Sequence, residues 1–265
     1  HLHTQRERLI LLVEGRALLQ GIDNTLLQAL TIPGRQGNER LCELRWAAAV
    51  TTGYYKKLDD TVSTRLTFRI EMDRPAKVIG QEGLAKFAGR YLNAVRIGTE
   101  RLKTWHQQLQ FSENTTPPNA CSECQHQSIC HLGFGATESY GLYPFNIESL
   151  WQMARRVDAN ITQRLLPRTF LTGVLRQTLH GHADSLAIGQ FPTEKLLIGQ
   201  TKLDMVDRQK LETLDPANHL RRLTLLELWH GKGQIVNLNP IIHEAFSLPV
   251  LSNFILEPTP TLIPK

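Results

Sequence analysis

The chain predicts an α/β fold, a partial parallel sheet followed by a predominantly α-helical portion with a small cysteine-rich insertion, helix-rich overall. Three observations carry this reading. Leu9 to Val13 is an unbroken aliphatic run ending on a carboxylate, Glu14. Trp46 to Val50 is a second apolar run, ending in Thr51-Thr52-Gly53. Cys121-x2-Cys124-x5-Cys130-His131 then interrupts a long series of helical patterns. Apolar runs of this length read as strands buried on both faces, the signature of a parallel sheet. Open α/β sheets bind ligands beyond the carboxyl ends of their strands, where Glu14 and the threonines stand.

Between the two strands, residues 16–31 carry Leu18, Leu19, Ile22, Leu26, Leu27 and Leu30 at a spacing that suits helices broken near Gly21. Pro33-Gly34 and Gly37-Asn38 mark a surface loop, and Cys42 reads as a small buried apolar side chain. Tyr54-Tyr55-Lys56-Lys57 reads as a loop, with nucleic-acid stacking as the alternative. Asp60 to Arg65 precedes a third strand-like segment, Leu66 to Met72. A long helical pattern runs from Gln81 to Leu109 and is kinked or split by Gly98; residues 112–119, with Pro117-Pro118, form a linker.

After the cysteines, Tyr140 to Asn146 makes a loop, and Asn146 caps a helix over residues 147–158 with Glu148 in its first turn. Pro167 opens another helix, 169–179. Leu220 to Trp229 is amphipathic and is stopped by His230-Gly231-Lys232-Gly233; a short helix, 241–246, follows Pro240. Helix, turn, helix and a wing over 231–236 suggest a winged-helix-like element, and Glu257 to Pro260 reads as a boundary. The expected organisation is thus residues 1–78, 79–189 with an insertion at 112–139, and 190–265.

The 265 residues are 41% hydrophobic and 21% charged, ordinary for a globular protein. No apolar run reaches membrane-spanning length and no signal-peptide layout opens the chain, so a cytoplasmic location and no membrane partner are expected. The net charge of +5 leans toward an anionic partner, nucleotide or DNA, without a long Lys/Arg block to concentrate it. Four cysteines, three of them clustered, suit metal binding in a reducing compartment better than a disulfide framework.

The run LILLVE resembles the Walker B strand of AAA+-type P-loop ATPases, AVTTG their sensor-1 strand, and DTVSTR the segment that carries an arginine finger. The likeness is nearest to large ATPases of bacterial anti-phage defence and DNA-modification gene clusters, which carry similar LLQGID, cysteine and GLYPFN runs. It covers roughly residues 8–250. It implies ATP with Mg²⁺ as cofactor, Glu14 helping to hold the Mg²⁺ through water, Thr51 or Thr52 sensing the γ-phosphate, and Arg65 acting in trans on a neighbouring protomer. It further implies Arg168 as sensor 2, a helical lid, and a homo-oligomer or larger multiprotein complex. Two departures stand out. Gly15 occupies the place of the second Walker B acid, and Gly-x-x-x-x-Gly-Lys-Ser/Thr is missing from the chain. Nothing in these residues therefore cradles β and γ phosphates, and a fragment inactive by itself is expected.

The cysteine cluster has its own logic. Cys-x2-Cys points two thiolates at one ion, Cys130 supplies a third, and His131 or His126 completes a tetrahedron for zinc. An iron–sulfur cluster is the competing occupant. A polar loop from Pro118 to Leu132 gains folding free energy from a metal, so a closed structural site is expected, with Glu123 as a solvated neighbour. His180, His182 and His219 lack metal-like company. Two functions remain open: part of an AAA+-type ATPase in defence or DNA processing, or a non-catalytic zinc-containing DNA- or protein-binding domain.

Overall fold

The computed structural model describes residues 8–14, 35–36, 39–40, 43–50, 55, 60–72, 80–109, 116–163, 165–197, 199 and 201–258. The chain divides into two compact units, His1–Asp73 and Arg74–Lys265.

In the first unit, β1 (Arg8–Val13) pairs in parallel with β4 (Glu43–Ala48), in register from Leu9 opposite Leu44 to Val13 opposite Ala48. The Ala49 amide extends the ladder by donating to the Val13 carbonyl at 2.9 Å. Between them β2 (Arg35–Gln36) and β3 (Glu39–Arg40) form a small antiparallel pair. Both long strands are where the apolar runs place them, although β4 begins before Trp46. The double-sided burial expected of β1 is not found. Ile10 and Leu12 are 68% and 78% exposed while Leu11 and Val13 are half-covered, so one face is shielded. Covering both faces takes a packed layer on each side, which a run of aliphatic residues cannot supply by itself.

Asp60–Ser63 forms a single helical turn, α1. The segment after it corrects a second expectation. Leu66 to Met72 has strand-like alternation but is not a strand, and Phe68, Ile70 and Met72 are almost wholly exposed. Alternation gives β propensity, whereas a strand also needs a neighbour for its backbone hydrogen bonds. Expectations for 16–31, Cys42, Tyr54, Lys56 and Lys57 lie outside the described residues. Tyr55 is described, with the Arg69 guanidinium 4.2 Å from its ring centroid.

The second unit begins with α2 (Gly80–Ile97) and α3 (Thr99–Leu109). Gly98, at φ +80°, separates them, a left-handed conformation that glycine adopts at no steric cost. Leu84, Ala85, Ala88 and Leu92 recur at helical spacing and bury one face of α2. After the cysteine turn come α4 (Gln127–Phe134) and a hairpin of β5 (Ala136–Thr137) with β6 (Tyr140–Gly141). Helix α5 (Ile147–Val157) is capped as its sequence demands: Asn146 Oδ1 accepts from the Ser149 amide at 2.7 Å, and Ser149 Oγ accepts from the Asn146 amide at 2.9 Å.

Pro167–Phe170 opens α6, which continues through a π-helical stretch, Leu171–Arg176, to Gln177–Leu179. Next come α7 (Ala183–Ala187) and α8 (Met205–Leu214), the latter capped by Asp204. Helix α9 (His219–Leu225) runs into a second π-helical stretch, Leu226–His230, closed by Gly231 in the left-handed region, and α10 (Pro240–Ala245) follows Asn239. The expected wing is not formed. Residues 231–236 contain no strand, and Asn237 makes an isolated parallel bridge to Leu256 instead.

The core of this unit gathers around Trp229, whose ring meets Phe191 and Phe246 edge-on at centroid distances of 5.6 and 5.3 Å. It extends from Leu84 to Leu248 and so crosses residues 189–190 without a break. Trp229 Nε1 donates to the Pro144 carbonyl at 3.0 Å and Asn146 Nδ2 to the Trp229 carbonyl at 3.1 Å, which ties the GLYPFN loop to that core.

Candidate functional site

The predicted site residues fall in both units. In the first, parallel pairing makes the two strand ends neighbours. Glu14 follows Val13 with its residue exposed, and Ala49 and Val50 follow β4 beside it. Thr51, Thr52 and Gly15 lie outside the described residues. Arg65 sits just past α1, exposed, in a turn closed by the Thr64 amide and hydroxyl on the Asp60 carbonyl. Arg168 belongs to the second unit, as the second residue of α6, with its side chain on the exposed face and its carbonyl accepting from Thr172 Oγ1 at 2.8 Å.

The cysteine segment is the better-defined geometry, and α2 builds it. One turn apart on that helix, Asn93 and Arg96 face the segment, with Arg90 a further turn back. Asn93, 4% exposed, donates to the Pro118 carbonyl and accepts from the Ala120 amide, both at 2.9 Å. Asn119 Oδ1 accepts from the Cys121 amide at 2.9 Å. Arg90 grips Glu138 through two nitrogens at 2.7 and 2.9 Å. The Arg96 guanidinium donates to the Gly141 and Tyr143 carbonyls at 2.7 and 2.6 Å and approaches Cys121 Sγ to 4.0 Å.

Within this frame Cys121 is buried, Cys130 half-buried and Cys124 exposed, and all three are free thiols. The Cys124 amide bonds the Cys121 carbonyl at 3.1 Å and the Cys130 amide bonds the His126 carbonyl at 2.9 Å, turning the chain into α4. Cys121 Sγ accepts from the Gly141 amide at 3.3 Å. His131 brings Nε2 to the same place, since a Cβ on Gly141 would stand 3.1 Å from Nε2 and 3.4 Å from Cys121 Sγ. That nitrogen is buried without a hydrogen-bond partner. His126, by contrast, meets Gln125 Nε2 at 3.3 Å through its own Nε2.

Electrostatics follow from the same neighbours. Burial pushes the Cys130 thiol up from its ordinary range, opposed by Arg96 and the Tyr143 amide. Burial, reinforced by Arg96, holds the His131 ring below the ordinary histidine value, which keeps it neutral with a lone pair to offer. Glu123 is not a free acid beside the thiols: Arg101 holds both its oxygens, at 3.1 and 3.3 Å. Among the described residues no three His, Cys, Asp or Glu side chains stand close enough together to hold a metal ion. The convergence that does exist is Cys121 with His131, with Cys130 one helix position away.

Sequence reasoning missed a second polar cluster. Glu227, fully buried on the π-helical stretch, accepts from the Lys202 and Leu203 amides at 2.6 and 2.8 Å and from Arg156 at 3.0 Å. Lys202 Nζ reaches Gln152 Oε1 and the Gly231 carbonyl, and His230 Nε2 is buried 3.7 Å from Glu257. The only available signal was one acid inside an apolar helical run, LTLLELW. Comparison with protein-family models, curated proteins and solved structures gives no match. No helix among the described residues is long and apolar enough to cross a membrane.

Proposed function

We propose that the chain supplies the second half of an AAA+-type ATPase core and its helical lid, within a cytoplasmic bacterial defence or DNA-processing machine that couples nucleotide turnover to assembly or partner switching. One observation carries the reading: β1 and β4 pair in parallel, so the Glu14 carboxylate follows the first strand beside the end of the second. Such strand ends are where α/β sheets bind ligands. Glu14 is an exposed oxygen donor of the kind Mg²⁺ takes through water. Arg65, on an exposed turn, suits insertion into a neighbour's site, where charge spreads over the transferring phosphoryl oxygens. The reading requires a phosphate-cradling loop supplied by other sequence.

The test is ATP turnover by the complete protein that carries this chain. Arg65→Ala lowers turnover by about 10³-fold or more while nucleotide affinity stays nearly constant. Retained turnover removes Arg65 from the role, and absence of ATP binding by the complete protein removes the reading. DNA binding that is tight, salt-dependent and indifferent to ATP would instead favour a non-catalytic binding domain.

A further inference from the structure

We propose that Cys121, Cys124, Cys130 and His131 bind one zinc ion, that His131 and not His126 is the fourth ligand, through Nε2, and that Arg96 is the positioning residue of the centre. The inference is independent of the nucleotide reading, because every group in it belongs to the second unit.

The choice of histidine rests on what each ring does. A buried nitrogen without a partner is unfavourable unless something binds it. His131 Nε2 is such an atom, and it shares with Cys121 Sγ the space over Gly141 that a side chain would fill. His126 spends its Nε2 on Gln125 on the exposed side of the turn.

A backbone amide, that of Gly141, already donates to the Cys121 sulfur, the interaction that supports a metal-bound thiolate. Cys124 is exposed on the Cys-x2-Cys turn and supplies the remaining thiolate of the proposed set; binding must draw the donors together, since no three of them converge among the described residues. Three thiolates with one imidazole are a zinc donor set, whereas iron–sulfur clusters are held mainly by thiolates.

Arg96 explains how the site is held. Its guanidinium spans the carbonyls of Gly141, whose amide meets Cys121, and Tyr143, and it brings a positive charge to a donor set that carries three negative ones. Lysine in its place offers a compact ammonium without the rigid planar fork of the guanidinium, so it does not hold the two carbonyls in the same fixed geometry.

The experiment is metal analysis of the purified chain, with acid-labile sulfide measured in parallel and zinc-edge X-ray absorption on the same sample. One zinc per chain, no sulfide, and a shell of three sulfurs and one nitrogen are expected. His131→Ala weakens zinc binding by more than about 100-fold, beyond the usual cost of an outer-shell substitution. His126→Ala leaves it unchanged. Arg96→Lys weakens it about 10-fold, as a positioning role requires, with the same donor shell. Because His131→Ala also disturbs a packed site, His131→Cys serves as the second variant and retains zinc with a four-sulfur shell. Iron with stoichiometric sulfide, absence of bound metal, zinc loss in His126→Ala, or full zinc retention in His131→Ala overturns the assignment.

Discussion

Replacing Glu227 by alanine isolates the strongest polar contribution to the second unit. Its carboxylate is wholly buried and serves three donors, the amides of Lys202 and Leu203 and the guanidinium of Arg156. Removing it strands two amides at about 1–3 kcal/mol each and leaves Arg156 with a broken buried ion pair, a change that costs about 3–5 kcal/mol. These losses share one carboxylate and do not add, so the expected destabilisation is about 4 kcal/mol. Glu227→Gln keeps an acceptor for the amides and gives up the charge that faces Arg156, with a loss of about 2 kcal/mol. The assay is urea unfolding followed by circular dichroism, comparing midpoints at constant slope. A loss below about 1 kcal/mol in the alanine variant would refute the argument, because it would mean that water or another group satisfies all three donors.

Three further outcomes follow from the same geometry. Asn146→Ala removes both an N-cap acceptor and the tie to the Trp229 carbonyl, so it costs about 1–2 kcal/mol in the same urea experiment, and an unchanged midpoint would deny the cap its role. Gly141→Ala places a methyl group 3.1 Å from His131 and 3.4 Å from Cys121; circular dichroism stays native, stability falls by about 1 kcal/mol, and zinc affinity drops. The third concerns pH. Burial holds His243 below the ordinary histidine value, opposed by the Leu248 carbonyl and reinforced by Arg222, and its Nε2 accepts from the Leu238 amide at 3.0 Å. The unfolded chain binds this proton more readily, so the stabilisation is complete above about pH 6.5 and is lost as pH falls through the folded value. His182 and His230, also lowered chiefly by burial, act in the same direction. Urea midpoints should fall between about pH 7 and pH 5, and a rise on acidification would contradict the sign.

What could be read from the residues was whatever their own neighbours decide. Gly98 ended a helix because only its backbone tolerates the break, Asn146 capped α5, and Pro167 and Pro240 stood at first helical positions. The parallel pairing of the two apolar runs was legible as well, but not its register: the expected neighbour of Val13 was Val50, and its partner is Ala48. What depends on distant partners was not legible. Leu66 to Met72 carries a strand's alternation without a strand's pairing, and the exposure of Ile10 and Leu12 reflects which layers cover β1. The two π-helical stretches have no sequence mark. At the cysteine segment the residue types and their spacing were plain, but the framework of Asn93 and Arg96 was hidden inside what read as an apolar helix stripe. The choice between His126 and His131 needed the hairpin that brings Gly141 over the thiol.

Side-by-side β1 and β4 have a consequence for the order of assembly. The partners in their ladder, from Arg8 with Glu43 to Val13 with Ala48, stand 35 positions apart, so chain entropy must be lost before the first hydrogen bond of that ladder forms. Helices such as α2 and α5 close their bonds within a turn and nucleate far sooner. As the chain leaves the ribosome, β1 emerges before β4, so the stretch beginning at Arg8 cannot close this ladder until its partner has followed.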